Sequence, residues 1–176
     1  MISEPSKPIR ISICGGVANL AKAVFAHSEW SELFQLMMQL SQDPNEISRS
    51  LNYTLLEQLS ETVSEKLKPH TATLAQMLTA GCQDPSPAVS VAAMKATTCY
   101  IRSINDDPEV MRLQSVLTPM LSVMHQCLAR GDEDIVAEGL EVIQECAEMQ
   151  QPLLNDHLEV VVPFLIQIMQ NEEVTV

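Results

Sequence analysis

Aromatic side chains are nearly missing from this chain: they make up 3% of its 176 residues, with one Trp, two Tyr and three Phe. The apolar fraction of 46% therefore builds an aliphatic core of Leu, Val, Ile, Ala and ten Met, which suits small, regular contacts between helices. Glycine is scarce, at five, and most of the ten prolines stand at turns or helix entries, where a missing N–H costs little. No apolar run approaches the ~20 residues needed to cross a bilayer. Met1 to Pro8 is polar and does not read as a secretory signal. Five cysteines (Cys14, Cys82, Cys99, Cys127, Cys146) are an odd, widely spaced set without a CxxC pair, which points to reduced, packed thiols in the cytosol or nucleus. Basic residues are few: 10 Lys and Arg against 23 Asp and Glu leave a net charge of −13, which argues against nucleic acid and anionic membranes as partners. A basic partner and plain solubility are both compatible with that charge.

What is present is a period. Apolar helices run into the turns Ser41-Gln42-Asp43-Pro44, Gln83-Asp84-Pro85-Ser86, Arg130-Gly131-Asp132-Glu133 and Gln170-Asn171-Glu172-Glu173. The first apolar anchors after them, Ile47, Val89, Ile135 and Val174, lie 42, 46 and 39 residues apart, close to the period of roughly 40–47 residues of paired-helix HEAT or armadillo repeats. The expected fold is all-α, an α-α superhelix of about four helical hairpins in which neighbours bury the faces that one pair cannot cover alone. The expected boundaries within a single array over 1–176 are an unpaired second helix at 9–26, repeats at 28–67, 70–103 and 109–149, and a truncated repeat at 152–176. Neither end resembles a polar capping repeat, so the chain reads as a piece of a longer solenoid.

Helical spacing supplies the expected core stripes. They are Ile9, Ile13, Val17, Leu20 and Val24; then Leu33, Leu36, Met37 and Leu40; then Ile47, Leu51, Leu55, Leu59 and Thr62. Met37, Met77, Met120, Met124 and Met169 fall on inner stripes, and Trp30 reads as a core anchor. Gly15-Gly16 inside a helix suggests close backbone packing, since no phosphate-loop pattern follows it.

Two rows of carboxylates are the strongest candidates for function. Glu138, Glu141, Glu145 and Glu148 are spaced 3, 4 and 3 and share a helical strip about 80° wide. Val136, Gly139, Ile143 and Cys146 lie opposite. Glu57, Glu61 and Glu65 form a similar row two repeats earlier. Such rows suit charge-assisted hydrogen bonds to Lys or Arg of a ligand, and they equally fit the solvated face of an amphipathic helix. Metal and catalytic readings are poor. His125 and Cys127 diverge on a helix, His70 and His157 sit at helix entries, and neither Cys127 nor Cys146 has an oxyanion loop beside it. No cofactor is expected, and the chain is read as a non-enzyme.

Glu29-Trp30-Ser31-Glu32-Leu33-Phe34 and the following Gln39 to Pro44 resemble the tryptophan-containing helix entry and turn of importin-β-type nuclear transport receptors. Ser31 stands where that family usually has proline. Lys68-Pro69-His70 and Pro152-Leu153-Leu154-Asn155-Asp156-His157-Leu158 are similar to its recurrent helix starts. Asp134 to Met149, with Glu138-Gly139-Leu140-Glu141, resembles a helix of the importin-four and importin-five branch. The resemblance runs from about Ile9 to Val174. It implies an early block of repeats in a receptor found in cytoplasm and nucleus. Such a receptor binds basic cargo and contacts phenylalanine-glycine nucleoporins, and its cargo is released when the GTP form of Ran binds. The rival is a structural scaffold of the same repeat class, which carries Asp/Arg ladders with Arg early in each second helix. Ser90 after Val89 and Val136 after Ile135 argue that this ladder is absent.

Overall fold

The computed structural model describes residues 6–170. Among them the ordered elements are helical and no strand occurs. They are α1 (Lys7–Phe25), α2 (Ser31–Ser41), α3 (Glu46–Leu67), α4 (Thr71–Cys82), α5 (Pro87–Ser103), α6 (Gln114–Arg130), α7 (Glu133–Glu148) and α8 (Leu158–Met169). Short 3₁₀ turns precede α4, α6 and α8. The fourth anchor, Val174, lies outside the described residues.

Local chemistry fixes the turns. Asp43 accepts the Asn45 N–H at 2.8 Å, and Asn45 then caps α3 by accepting the Ile47 N–H at 2.9 Å. Asp84 repeats the device on the Ser86 N–H at 2.9 Å, just before Pro87 opens α5. Gly131 ends α6 in the left-handed region at φ 76°, and its N–H closes the last turn.

The helices form two rows. α1, α3, α5 and α7 pack side by side in one, and α2, α4, α6 and α8 in the other; α2–α3, α4–α5 and α6–α7 join the rows as hairpins. This is the stacked hairpin architecture of a HEAT-like solenoid. Between the rows Leu56, Leu59, Leu78, Met94, Ile101, Leu117 and Met120 are fully buried. Two tyrosines are buried with them and keep their hydroxyls satisfied. Tyr53 donates to the Met77 carbonyl at 2.8 Å, and Tyr100 lies 2.6 Å from Thr71 Oγ1.

Several expected core positions are displaced. α1 buries Cys14, Ala18, Ala21 and Phe25, whereas Ile9, Ile13 and Leu20 point outward, because close approach to α3 favours small side chains over the bulkier isoleucine face. Leu36 and Ile47 are exposed, and Met169 is 85% exposed, while Met37, Met77, Met120 and Met124 are buried. Trp30 is half-buried against the core. The glycine pair is not a close-packing device: a Cβ at Gly15 would meet only Gln58 Oε1 at 3.7 Å, and one at Gly16 would meet nothing within 4 Å. The Asp/Arg ladder is not wholly absent either. Arg49, early in α3, grips Asp84 of the next turn, with Nε–Oδ2 at 2.7 Å. Ser90 and Val136 leave α5 and α7 without the early arginine that α3 carries.

Candidate functional site

α3, α5 and α7 place both glutamate rows beside α5, which runs between them. A groove of about 490 Å³ opens there, lined by Glu57, Ser60, Glu61 and Ser64 of α3, by Thr98, Cys99, Arg102 and Ser103 of α5, and by Glu138 of α7. Helical spacing puts Glu57, Ser60, Glu61 and Ser64 on one face of α3, and a repeat later Cys99, Arg102 and Ser103 on the matching face of α5.

α5 supplies two cations that the glutamate spacing does not reveal. Lys95 Nζ donates to Glu138 Oε2 at 2.7 Å, and Thr98 Oγ1 adds a long contact to Glu138 Oε1 at 3.5 Å. Arg102 Nε donates to both oxygens of Glu145, at 2.9 and 3.0 Å, while its Nη2 reaches Glu141 Oε2 at 3.1 Å. The signal was in the sequence as a period: Lys95–Glu138 and Arg102–Glu145 are each 43 residues apart, one repeat.

The seven glutamates are therefore not equivalent. Glu57, Glu61 and Glu138 line the groove, and Arg102 connects it to Glu141 and Glu145. Glu65 turns away to pair with Lys68 at 2.6 Å, and Glu148 accepts from Gln144 at 3.2 Å, so neither lines the groove. Glu57 is half-buried and its pKa is raised, first by burial and then by Glu138 and Glu61, with Lys95 opposing. The Cys99 thiol lies deep in the same groove and donates to the Glu57 carbonyl at 3.4 Å. Burial and the surrounding glutamates push its pKa up to about 12, which leaves it a protonated wall residue and not a nucleophile.

The other candidate residues have packing roles. His70 lies against the Phe34 ring at 4.1 Å between centroids, and His157 Nδ1 is 3.3 Å from Thr118 Oγ1. Cys127 and Cys146 are buried. No group of three or more His, Cys, Asp or Glu that could hold a metal occurs among the described residues, and no helix among them is long and apolar enough to cross a membrane. Two further depressions lie in the opposite row. One, about 480 Å³, includes Thr79, Cys82, Ser115 and Pro119 between α4 and α6; the other, about 300 Å³, includes Leu121, His125, Val160 and Phe164 between α6 and α8.

Comparison with known proteins places the chain in a family. The profile of the family described as "IPO5-like, TPR repeats" matches residues 5–164. A probable importin-5 homolog from Dictyostelium discoideum is 22% identical over 171 residues, covering 96% of this chain and 16% of the relative. Importin-4 of Mus musculus is 23% identical over 164 residues, covering 91% of this chain and 15% of the relative. The chain thus spans about a sixth of the length of these relatives.

Proposed function

The chain belongs to the importin-5-like repeat family, and from that premise we propose that its α3–α5–α7 groove binds Lys- or Arg-rich segments of nuclear import cargo. The observation that carries this reading is the convergence of Glu57, Glu61 and Glu138 on one groove, with Glu141 and Glu145 at its edge. A ligand cation there meets carboxylates on two helices, and the hydroxyls of Ser60, Ser64 and Ser103 supply further acceptors. The half-buried Glu57 lies among other carboxylates, so a cation relieves like-charge repulsion as well as making its own contacts. Glu148, whose contact is the neutral Gln144, extends the negative field along α7 and steers a basic segment inward, while Glu65 is neutralised by Lys68.

This mode of action needs no reaction. Importins are transport receptors, and the work is done by binding and by the shape of the array. Passage through the pore by phenylalanine-glycine contacts, cargo release by GTP-loaded Ran, and residence in cytoplasm and nucleus belong to the same proposal. The depressions between α4 and α6 and between α6 and α8 have the shallow, partly apolar lining that an aromatic side chain fits. The single Arg49–Asp84 rung is one of the ladder contacts of a structural scaffold. It is not repeated among the ion pairs of the described residues, so the transport reading is preferred.

The test is titration of this chain with a lysine-rich import-signal peptide, followed by fluorescence anisotropy. Wild type binds, and affinity falls as salt rises. Glu57→Gln with Glu61→Gln weakens binding at least tenfold, and reversal of Glu138, Glu141, Glu145 and Glu148 to Lys abolishes it with helicity intact. Unchanged affinity in both variants would remove the groove from the account. Loss of cargo on adding GTP-loaded Ran to the longer parent chain separates a carrier from a scaffold.

A further inference from the structure

Glu57 and Glu61 of α3 repeat the spacing of Glu141 and Glu145 of α7, and both pairs stand in the row of α1, α3, α5 and α7. α3 leaves helical geometry only at Val63, beyond Glu57 and Glu61, so each pair sets its carboxylates on consecutive turns of a regular helix. The α7 pair shows which cation this spacing takes. The fork of Arg102 spans it, with Nε on both oxygens of Glu145 at 2.9 and 3.0 Å and Nη2 on Glu141 at 3.1 Å. Lys95, on the same helix as Arg102, reaches a single carboxylate, Glu138, at 2.7 Å. Among the ion pairs of the described residues neither Glu57 nor Glu61 appears.

The walls of the groove carry a second, independent preference. Ser60 directs its hydroxyl hydrogen to the Leu56 carbonyl and Ser103 to the Tyr100 carbonyl, both at 2.8 Å, while the Cys99 thiol donates to the Glu57 carbonyl at 3.4 Å. All three line the groove, and with their hydrogens committed to backbone they can only accept from a ligand. Such walls suit a group that brings many N–H donors and no acceptor, and a guanidinium brings more of them than an ammonium. Glu57 is half-buried, and a guanidinium, the more weakly hydrated of the two cations, loses less on entering beside it. The charge of Arg102 itself is taken up by Glu141 and Glu145.

We propose that the Glu57–Glu61 end of the groove is an arginine subsite, in which a ligand guanidinium spans the two carboxylates as Arg102 spans Glu145 and Glu141. This rests on the groove being the binding site argued above, and it adds the choice between the two basic side chains. Lysines elsewhere in the bound segment answer to the wider negative field, where a point charge serves as well as a fork. At the position that meets Glu57 and Glu61, exchanging arginine for lysine is not conservative.

Two peptides of equal length and charge, one basic through lysine alone and the other through arginine alone, are titrated against the chain by fluorescence anisotropy. Wild type binds the arginine peptide about fivefold more tightly than the lysine peptide. Glu57→Gln with Glu61→Gln weakens both and brings them within about twofold of each other, because the bridged pair is gone. Glu148→Gln, which removes a carboxylate outside the groove, weakens both alike and keeps the ratio. Circular dichroism checks that helicity is retained; if the double variant loses it, Glu61→Gln alone, at an exposed position, carries the comparison. Equal affinity of wild type for the two peptides, or a preference that survives undiminished without the α3 carboxylates, overturns the arginine subsite and leaves the groove a general site for basic segments. Failure of wild type to bind either peptide overturns both readings together.

Discussion

Arg49 holds two turns at once. Its Nε and Nη2 grip Asp84 in the next hairpin at 2.7 and 3.0 Å, while Nη1 donates to the Asp43 and Pro44 carbonyls of its own turn at 2.9 and 3.1 Å. The planar fork makes the double duty possible, and a lysine cannot copy it. With side chains 17% and 10% exposed, the pair sits between a surface and a buried ion pair. Arg49→Ala is expected to cost about 2 kcal/mol, and Arg49→Lys to recover less than half of that. Burial raises the Asp84 pKa, but Arg49 and the Ser86 N–H outweigh it and hold the carboxyl below its ordinary range. A depressed carboxylate contributes stability above the unfolded pKa and loses it as pH falls. Thermal melts should therefore show the gap between wild type and Asp84→Asn closing below about pH 4.

Gly81 and Gly139 both lie buried in helices, yet they should respond differently to a methyl group. A Cβ at Gly81 would enter the ring of Tyr53, which its hydrogen bond to Met77 holds in place, and would come within 2.7 Å of Ala93 Cβ. A Cβ at Gly139 meets the far end of Met124, with Sδ at 2.7 Å, and that side chain can turn aside. Gly81→Ala is expected to destabilise by about 2 kcal/mol despite the better helix propensity of alanine, and Gly139→Ala by less than about 1 kcal/mol. Urea denaturation of the two variants makes the comparison; equal losses would mean that Tyr53 yields as easily as Met124.

The period and the turns were legible because they rest on local chemistry. Asp43, Asn45, Asp84 and Asp107 bind N–H groups two residues ahead whatever packs above them. The stripes of α2 and α3 were legible in part: Leu33, Met37, Leu51, Leu55 and Leu59 are buried where their spacing puts them, because neighbouring helices cover those faces. α1 was misread because its more hydrophobic side is not its buried side: contact with α3 selects Cys14, Ala18 and Ala21 for size, and spacing carries no information about size. The glutamate rows could be read within each helix. Their partners could not, since Lys95 and Arg102 stand on a different helix and meet the row only when repeats are stacked.

Glu57 gives a pH signature opposite in sign to that of Asp84. Burial, then Glu138 and Glu61, raise its pKa against the pull of Lys95, so the folded state favours the protonated form. Stability from a raised carboxyl is complete below the unfolded pKa and is lost as pH rises through the folded value. Glu57→Gln should therefore melt a few degrees higher than wild type at neutral pH, and the two curves should converge as pH falls toward the ordinary range of glutamate. A variant less stable than wild type at pH 7 would show that Lys95 outweighs desolvation there.

Arg102 separates a counter-ion from an organiser. Its guanidinium occupies Glu141 and Glu145 while lining the groove with Glu57 and Glu61, so it neutralises part of the field offered to a basic segment. The pair is over a third exposed, and its removal should change stability by less than about 1 kcal/mol. Binding should respond more strongly. Arg102→Gln frees two carboxylates at the groove edge, so the Kd for a lysine-rich peptide is expected to fall several-fold and its salt dependence to steepen. If Arg102 instead serves to hold Glu141 and Glu145 in position, the same substitution weakens the peptide. Anisotropy titrations at two salt concentrations decide between these outcomes by the sign of the change alone.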